Sequence, residues 1–103
     1  MAGRGNPGPD YVPDTRPCEQ VEFEVWLVDV DTTVSAQLSV GDRLPVRLIE
    51  ERYPAVFLDE ARVGSIASGV LSRLVECLRG RASFGAEVLE INGNLVRVRV
   101  SWG

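Results

Sequence analysis

Apolar and polar residues alternate from residue 20 to residue 30 (QVEFEVWLVDV), which places Val21, Phe23, Val25 and Leu27 on one face and Glu22, Glu24, Trp26 and Val28 on the other. Successive side chains of an extended chain point to opposite sides, so the pattern predicts a β-strand with one buried face. Its outer face turns apolar after Glu24, and the strand is expected to run from an exposed edge into a region covered on both sides. Residues 31–42 (DTTVSAQLSVGD) are predicted to form a polar connection with room for a short strand, closing in a turn at Gly41-Asp42. Alternation returns at residues 43–50 (RLPVRLIE), with Leu44, Val46 and Leu48 inward and Arg43, Arg47 and Ile49 outward. Pro45 has no N–H for a sheet ladder, which assigns this strand to an edge or to the neighbourhood of a bulge.

Tyr53-Pro54 interrupts the pattern, after which AVFL and ARVGSI flank Asp59-Glu60 as a short hairpin. Residues 68–79 (SGVLSRLVECLR) carry the one helical period: Val70, Leu71, Leu74, Cys77 and Leu78 make a single apolar stripe, with Ser68 as N-cap and Gly80 just past the end. The chain closes on two alternating segments around Asn92-Gly93. An Asn-Gly pair there predicts a type I′ hairpin with both residues at positive φ, Ile91 and Asn94 flanking it, Glu90 near Leu95 and Glu87 near Val98. Val96, Val98 and Val100 then point one way, and Leu95, Arg97, Arg99 and Ser101 the other.

About six short strands and one helix pack most economically as a mostly β (α+β) fold. The expected form is a small six-stranded antiparallel barrel or strongly bent sheet, with the helix plugging one opening. Residues 1–19, rich in Gly and Pro, are assigned to a flexible leader, and residues 20–103 to a single small β-barrel domain.

Composition limits the chemistry. The 103 residues include 11 basic residues, all of them Arg, and no His. The chain therefore has neither the usual general base near neutral pH nor a lysine for a Schiff base or a P-loop. Carboxylate-only chemistry stays open, and a carboxylate-dependent hydrolase is one alternative, but no spacing singles out a pair. Arginine without lysine fits the codon bias of a G+C-rich bacterial genome. The net charge of −4 hides an asymmetry: residues 1–61 balance to −7 and residues 62–103 to +3. The two cysteines, Cys18 and Cys77, imply by themselves neither a disulfide scaffold nor a zinc site, and whether they pair is left open. The opening MAGRGNPGPDYVP lacks the apolar stretch of a secretory signal, and no apolar run approaches the roughly 18 residues of a membrane span. The expected location is the cytoplasm, with no membrane contact and no cofactor.

From Val40 to Val100, the run VGDRLPVRLIEE, a hairpin ending ARVGSI, the helix SGVLSRLVECLRG and an alternating strand pair together resemble the HIRAN domain over about 60% of the chain. The resemblance implies a small β-barrel that captures the end of single-stranded DNA, often attached to helicase or nuclease machinery. The chain departs from that family in the stretch ERYPAVFLDEARVG: Tyr53 and Pro54 are near the expected place, but the Asn and Asp of the family's ligand segment are missing. Gly64 is followed by Ser65, not by an aromatic residue. Shared architecture is therefore better supported than shared ligand.

The candidate contact residues are Arg97 and Arg99 on one strand face, Arg79, Arg81 and Phe84 around the helix-to-strand turn, Trp102 beyond the last strand, and Tyr53 and Trp26. Arginine interleaved with aromatics suits phosphates and stacked bases. The competing reading pairs Arg97 and Arg99 with Glu87 or Glu90 across strands and packs Trp26 under a loop. Glu19, Glu22, Glu24, Asp29 and Asp31 are expected to be solvated and not to gather round a cation. The sequence as a whole is read as a non-enzymatic binding module. A protein partner or self-association through an exposed strand or hairpin surface is the leading reading, and single-stranded nucleic acid the alternative.

Overall fold

The structure, a computed structural model, describes residues 17–67 and 71–103. The strands are β1 (Glu22–Trp26), β2 (Arg43–Ile49), β3 (Tyr53–Leu58), β4 (Ala61–Ser65), β5 (Phe84–Asn92) and β6 (Leu95–Trp102). They form one antiparallel sheet in the order β1-β6-β5-β2-β3-β4. The sheet bends until its outermost strands approach each other. Past β1, Leu27 N–H still donates to Val96 O (2.9 Å), and the next residue turns its hydrogen bonds the other way: Val28 and Ser65 exchange N–H···O bonds of 2.9 and 2.8 Å. A single antiparallel bridge therefore joins the two edges. The expected six-stranded barrel or strongly bent sheet is the observed architecture.

Period-two patterning places the core. Val96, Val98 and Val100 of β6 are fully buried, as are Val88 of β5, Val56 of β3 and Val63 of β4. Each such side chain contributes roughly 1.5–3 kcal/mol by leaving water. Gly64 sits where the edges meet: a Cβ there would lie 3.1 Å from Leu27 Cβ and 3.2 Å from Val28 O. A glycine lets the two backbones come this close.

Helix α2 (Leu71–Arg79) packs against β2, β3 and the 3₁₀ turn Cys18–Gln20, with Leu74 and Cys77 buried. Its expected first turn, including the Ser68 cap and Val70, lies outside the described residues. A second helix, α1 (Thr32–Ser35), replaces the short strand for which residues 31–42 left room. Asp31 produces it, because Asp31 Oδ1 accepts from the N–H groups of Thr33 (2.9 Å) and Val34 (3.2 Å) and satisfies a helix start that periodicity did not reveal.

Other expectations are corrected. Tyr53-Pro54 does not interrupt a strand but opens β3, with Pro54 buried opposite Leu48. Pro45 lies in an internal strand, in the half of β2 that pairs only with β5, next to the register shift at Val56/Phe57 where β3 peels away. That shift belongs to the β3–β4 ladder, and neither ladder of β2 is bulged, so Pro45 is accommodated because it has no partner in β3 and not by an edge position. The last hairpin turns one residue later than expected. Asn92 pairs with Leu95, only Gly93 of the turn has positive φ (+63°), and a shift between Val88 and Glu90 leaves Glu90 opposite Arg97 and Glu87 opposite Arg99.

Cys18 and Cys77 are joined by a disulfide across a sequence separation of 59 residues, with Cα atoms 5.8 Å apart. The ordered unit thus takes in Cys18 and Glu19, two residues assigned to the leader; residues 1–16 lie outside the described residues. Among the described residues, no helix is long and apolar enough to cross a membrane.

Candidate interaction site

The structure divides the candidate residues between two regions. The first is the outer face of β1, β6 and β5. Register sets Glu24 opposite Arg99, Trp26 opposite Arg97, Glu87 opposite Arg99 and Glu90 opposite Arg97. Acidic columns therefore stand on both sides of the arginine column. Arg97 Nη1 donates to Glu24 Oε1 (2.7 Å) and its Nε to Glu90 Oε1 (3.4 Å), while Arg99 reaches Glu87 (3.2 Å) and Glu24 (3.3 Å). The expected pairing to Glu87 and Glu90 is present. Glu24, earlier assigned to solvent, connects both arginines. Individual exposed pairs of this kind contribute about 0–1 kcal/mol, and the network mainly holds the guanidinium planes still.

At the hairpin end of this face the network gives way to apolar surface. Trp26 is 44% exposed and is not packed under a loop as expected; the Arg97 guanidinium sits 5.8 Å from its ring centroid. Val28 (42%) and Leu95 (51%) flank the Leu27–Val96 contact and extend the same surface. Alternation placed Trp26 and Val28 together on the outer face of the first predicted strand, but that face stays exposed here and is not covered on both sides as its apolar turn after Glu24 suggested. Leu95 joins them only because β6 pairs with β1. At the other end of the face Arg43 crosses β5 to reach β6, with Nη2 donating to Ser101 O (3.0 Å) and Nη1 to Ser101 Oγ (3.2 Å). The crossing runs over Gly85, where a Cβ would fall 2.6 Å from Arg43 Nε.

The second region is the end of the sheet where α2 hands over to β5. Arg79 and Arg81 line a hollow of about 450 Å³ with Leu48, Leu78 and Glu51. Arg79 Nε donates to Glu51 O (2.8 Å), which ties α2 to the β2–β3 turn. Tyr53 (54% exposed) follows that turn opposite Ile49, and Trp102 (49% exposed) ends β6 at the same end of the sheet. Phe84 does not belong to a contact surface: it is 2% exposed and part of the core, because it shares the inward face of β5 with Ala86 and Val88. The arginine-plus-aromatic surface expected from sequence proximity is therefore split, with Arg97, Arg99 and Trp26 on the sheet face and Arg79, Arg81, Tyr53 and Trp102 at the helix end.

Compared with models of protein families, with curated proteins and with solved structures, the chain gives no match.

Proposed function

We propose that this protein is a non-enzymatic binding module that engages a protein partner through the hairpin end of its sheet. The observation that carries the reading is the exposure of Trp26, Val28 and Leu95 at the hairpin end of the sheet, with Arg97 held over the indole. Aromatic residues and arginine are enriched at the centres of protein interfaces, where burial of a rigid indole gives large contact area at low entropic cost. A partner also favours itself over nucleic acid here. The Arg97 and Arg99 guanidinium groups already answer Glu24, Glu87 and Glu90, so a phosphate chain would have to displace carboxylates from a protein of net charge −4. The HIRAN-type reading, capture of a DNA end, is the second reading and draws on the same residues.

The disulfide argues against the cytoplasmic placement expected from the sequence. A disulfide between Cys18 and a buried Cys77 is characteristic of oxidising compartments and favours one of these.

The test compares the wild-type chain with the Trp26→Ala/Leu95→Ser double variant, each immobilised and exposed to an extract of the source cells. A protein retained by the wild type and released by the variant supports the reading; identical profiles overturn it. In parallel, titration of linear and circular single-stranded DNA at low salt should give no binding. A preference for linear strands that is lost in the Arg97→Ala/Arg99→Ala variant would replace this reading with the second one.

A further inference from the structure

The geometry points to a second, separate binding site, the hollow between the β2–β3 turn and the end of α2, whose ligand is a single carboxylate carried on an apolar body. Three observations converge there. The hollow, about 450 Å³, has Leu48 and Leu78 as its apolar lining and the arginines 79 and 81 as its cationic lining. That volume lies within the range of ligand sites, and the lining here is more polar than apolar, which suits an anionic group more than a wholly apolar ligand. Among the described residues, neither Arg79 nor Arg81 has an acidic partner, in contrast to Arg97 and Arg99: Arg79 spends its Nε on a backbone oxygen of Glu51 and keeps its terminal nitrogens.

The third observation is backbone strain on both walls. Glu50 and Glu51 are the central residues of a turn within the three-residue β2–β3 connection (50–52), with φ of +54° and +60° and Arg52 N–H closing on Ile49 O (3.0 Å), and Arg81 beyond the end of α2 has φ of +73°. Glycine or asparagine is the ordinary occupant of such positions. Glutamate and arginine held there, at the rim of one hollow, are the kind of outlier that leads toward function.

The arginines select the ligand. Arg79 and Arg81 both line the hollow, and neither has an acidic partner among the described residues, so the ligand they call for is an anion. Arginine receives a carboxylate with two parallel N–H···O bonds, and Leu48 and Leu78 offer an apolar body a place out of water. The same chemistry is found in a free aliphatic acid and in the carboxyl terminus of a polypeptide ending in an apolar residue.

The test is an NMR titration of the ¹⁵N-labelled full chain with four probes. These are octanoate, octanol, and an acetylated peptide ending in leucine as its free acid and as its amide. The expected result is that at least one of the two acids shifts the amide signals of Leu48, Glu51, Leu78, Arg79 and Arg81, while octanol and the amide do not. The tighter of the two acids identifies the source. Arg81→Asn removes the charge yet accepts the positive φ, and it should weaken the binding acid about tenfold with the spectrum otherwise unchanged. Silence from both acids, equal shifts from octanol, or affinity unaltered by Arg81→Asn overturns the assignment. Because Trp26 and Leu95 lie on the other region, the partner-binding test can fail or succeed independently.

Discussion

The arginines of the sheet face and those of the helix end have the same chemistry and opposite circumstances. Arg97 and Arg99 lie in the column between β1 and β5, where antiparallel register brings Glu24, Glu87 and Glu90 beside them. Arg79 and Arg81 lie where the chain leaves a helix for a strand, and there no register supplies partners; Arg79 finds a backbone oxygen instead. A charge in a ladder is neutralised by the geometry that forms the ladder, whereas a charge at a chain turn is left for a tertiary contact or a ligand. The two regions also differ in how they are held. Backbone hydrogen bonds of three strands support the face, while the helix end depends on the packing of one short helix and on a covalent tie to Cys18.

Breaking that tie is the largest perturbation available. In the chain-entropy account, a link between residues 59 apart stabilises the fold by about 4 kcal/mol. The Cys18→Ser/Cys77→Ala variant, or the reduced protein, should lose that amount in urea unfolding. Hydrogen exchange should accelerate first in α2 and last in β6. Uniform acceleration over helix and sheet would show that the two regions are one cooperative unit and remove the contrast drawn above.

The β2–β3 turn sharpens the comparison from the other side. Replacing Glu50-Glu51 with Asn-Gly relieves two positive-φ side chains and should raise stability by about 1–2 kcal/mol, read from the shift of the urea midpoint at constant slope. No gain would mean that the turn stores no strain, and the argument for a site at the helix end would lose one of its three supports.

On the sheet face the expected effect is smallest. Glu24→Gln removes the carboxylate shared by Arg97 and Arg99 at a cost of about 1 kcal/mol or less, because its side chain is 46% exposed and the pairs are screened by solvent. The loss should shrink in 1 M salt, where the screening length falls to about 3 Å. A loss that persists in high salt would show that Glu24 acts through packing of its stem and not through charge.

Much of this fold was legible from patterning. The inward and outward sets of β1, β2 and β6, the hairpin around Asp59-Glu60 and the apolar stripe of α2 follow from periods of two and 3.6 residues, which backbone geometry imposes wherever one face is buried. Where patterning failed, a short-range device overrode it. The Asp31 cap turned a polar connection into a helical turn. The bend at Gly93-Asn94 and the Val88/Glu90 shift moved the cross-strand partners of Arg97 and Arg99 away from those that a type I′ turn at Asn92-Gly93 would give. The candidate site was legible as a set of residues but not as a place. Phe84 follows Arg81 closely in the sequence, yet alternation along β5 sends its ring into the core while the two arginines stay at the rim.

The sequence by itself determined the inward and outward faces of β1, β2 and β6, because alternation is a local property and the hydrophobic effect acts on whatever face it defines. Only the tertiary structure decided which charges are satisfied, which cysteines are joined and which exposed apolar residues adjoin. Glu24 and Arg99 are 75 residues apart, and Arg79 and the Glu51 oxygen it binds are 28 apart. Contacts over such separations depend on strand order and register, which arise when the whole chain packs and are written in no single segment.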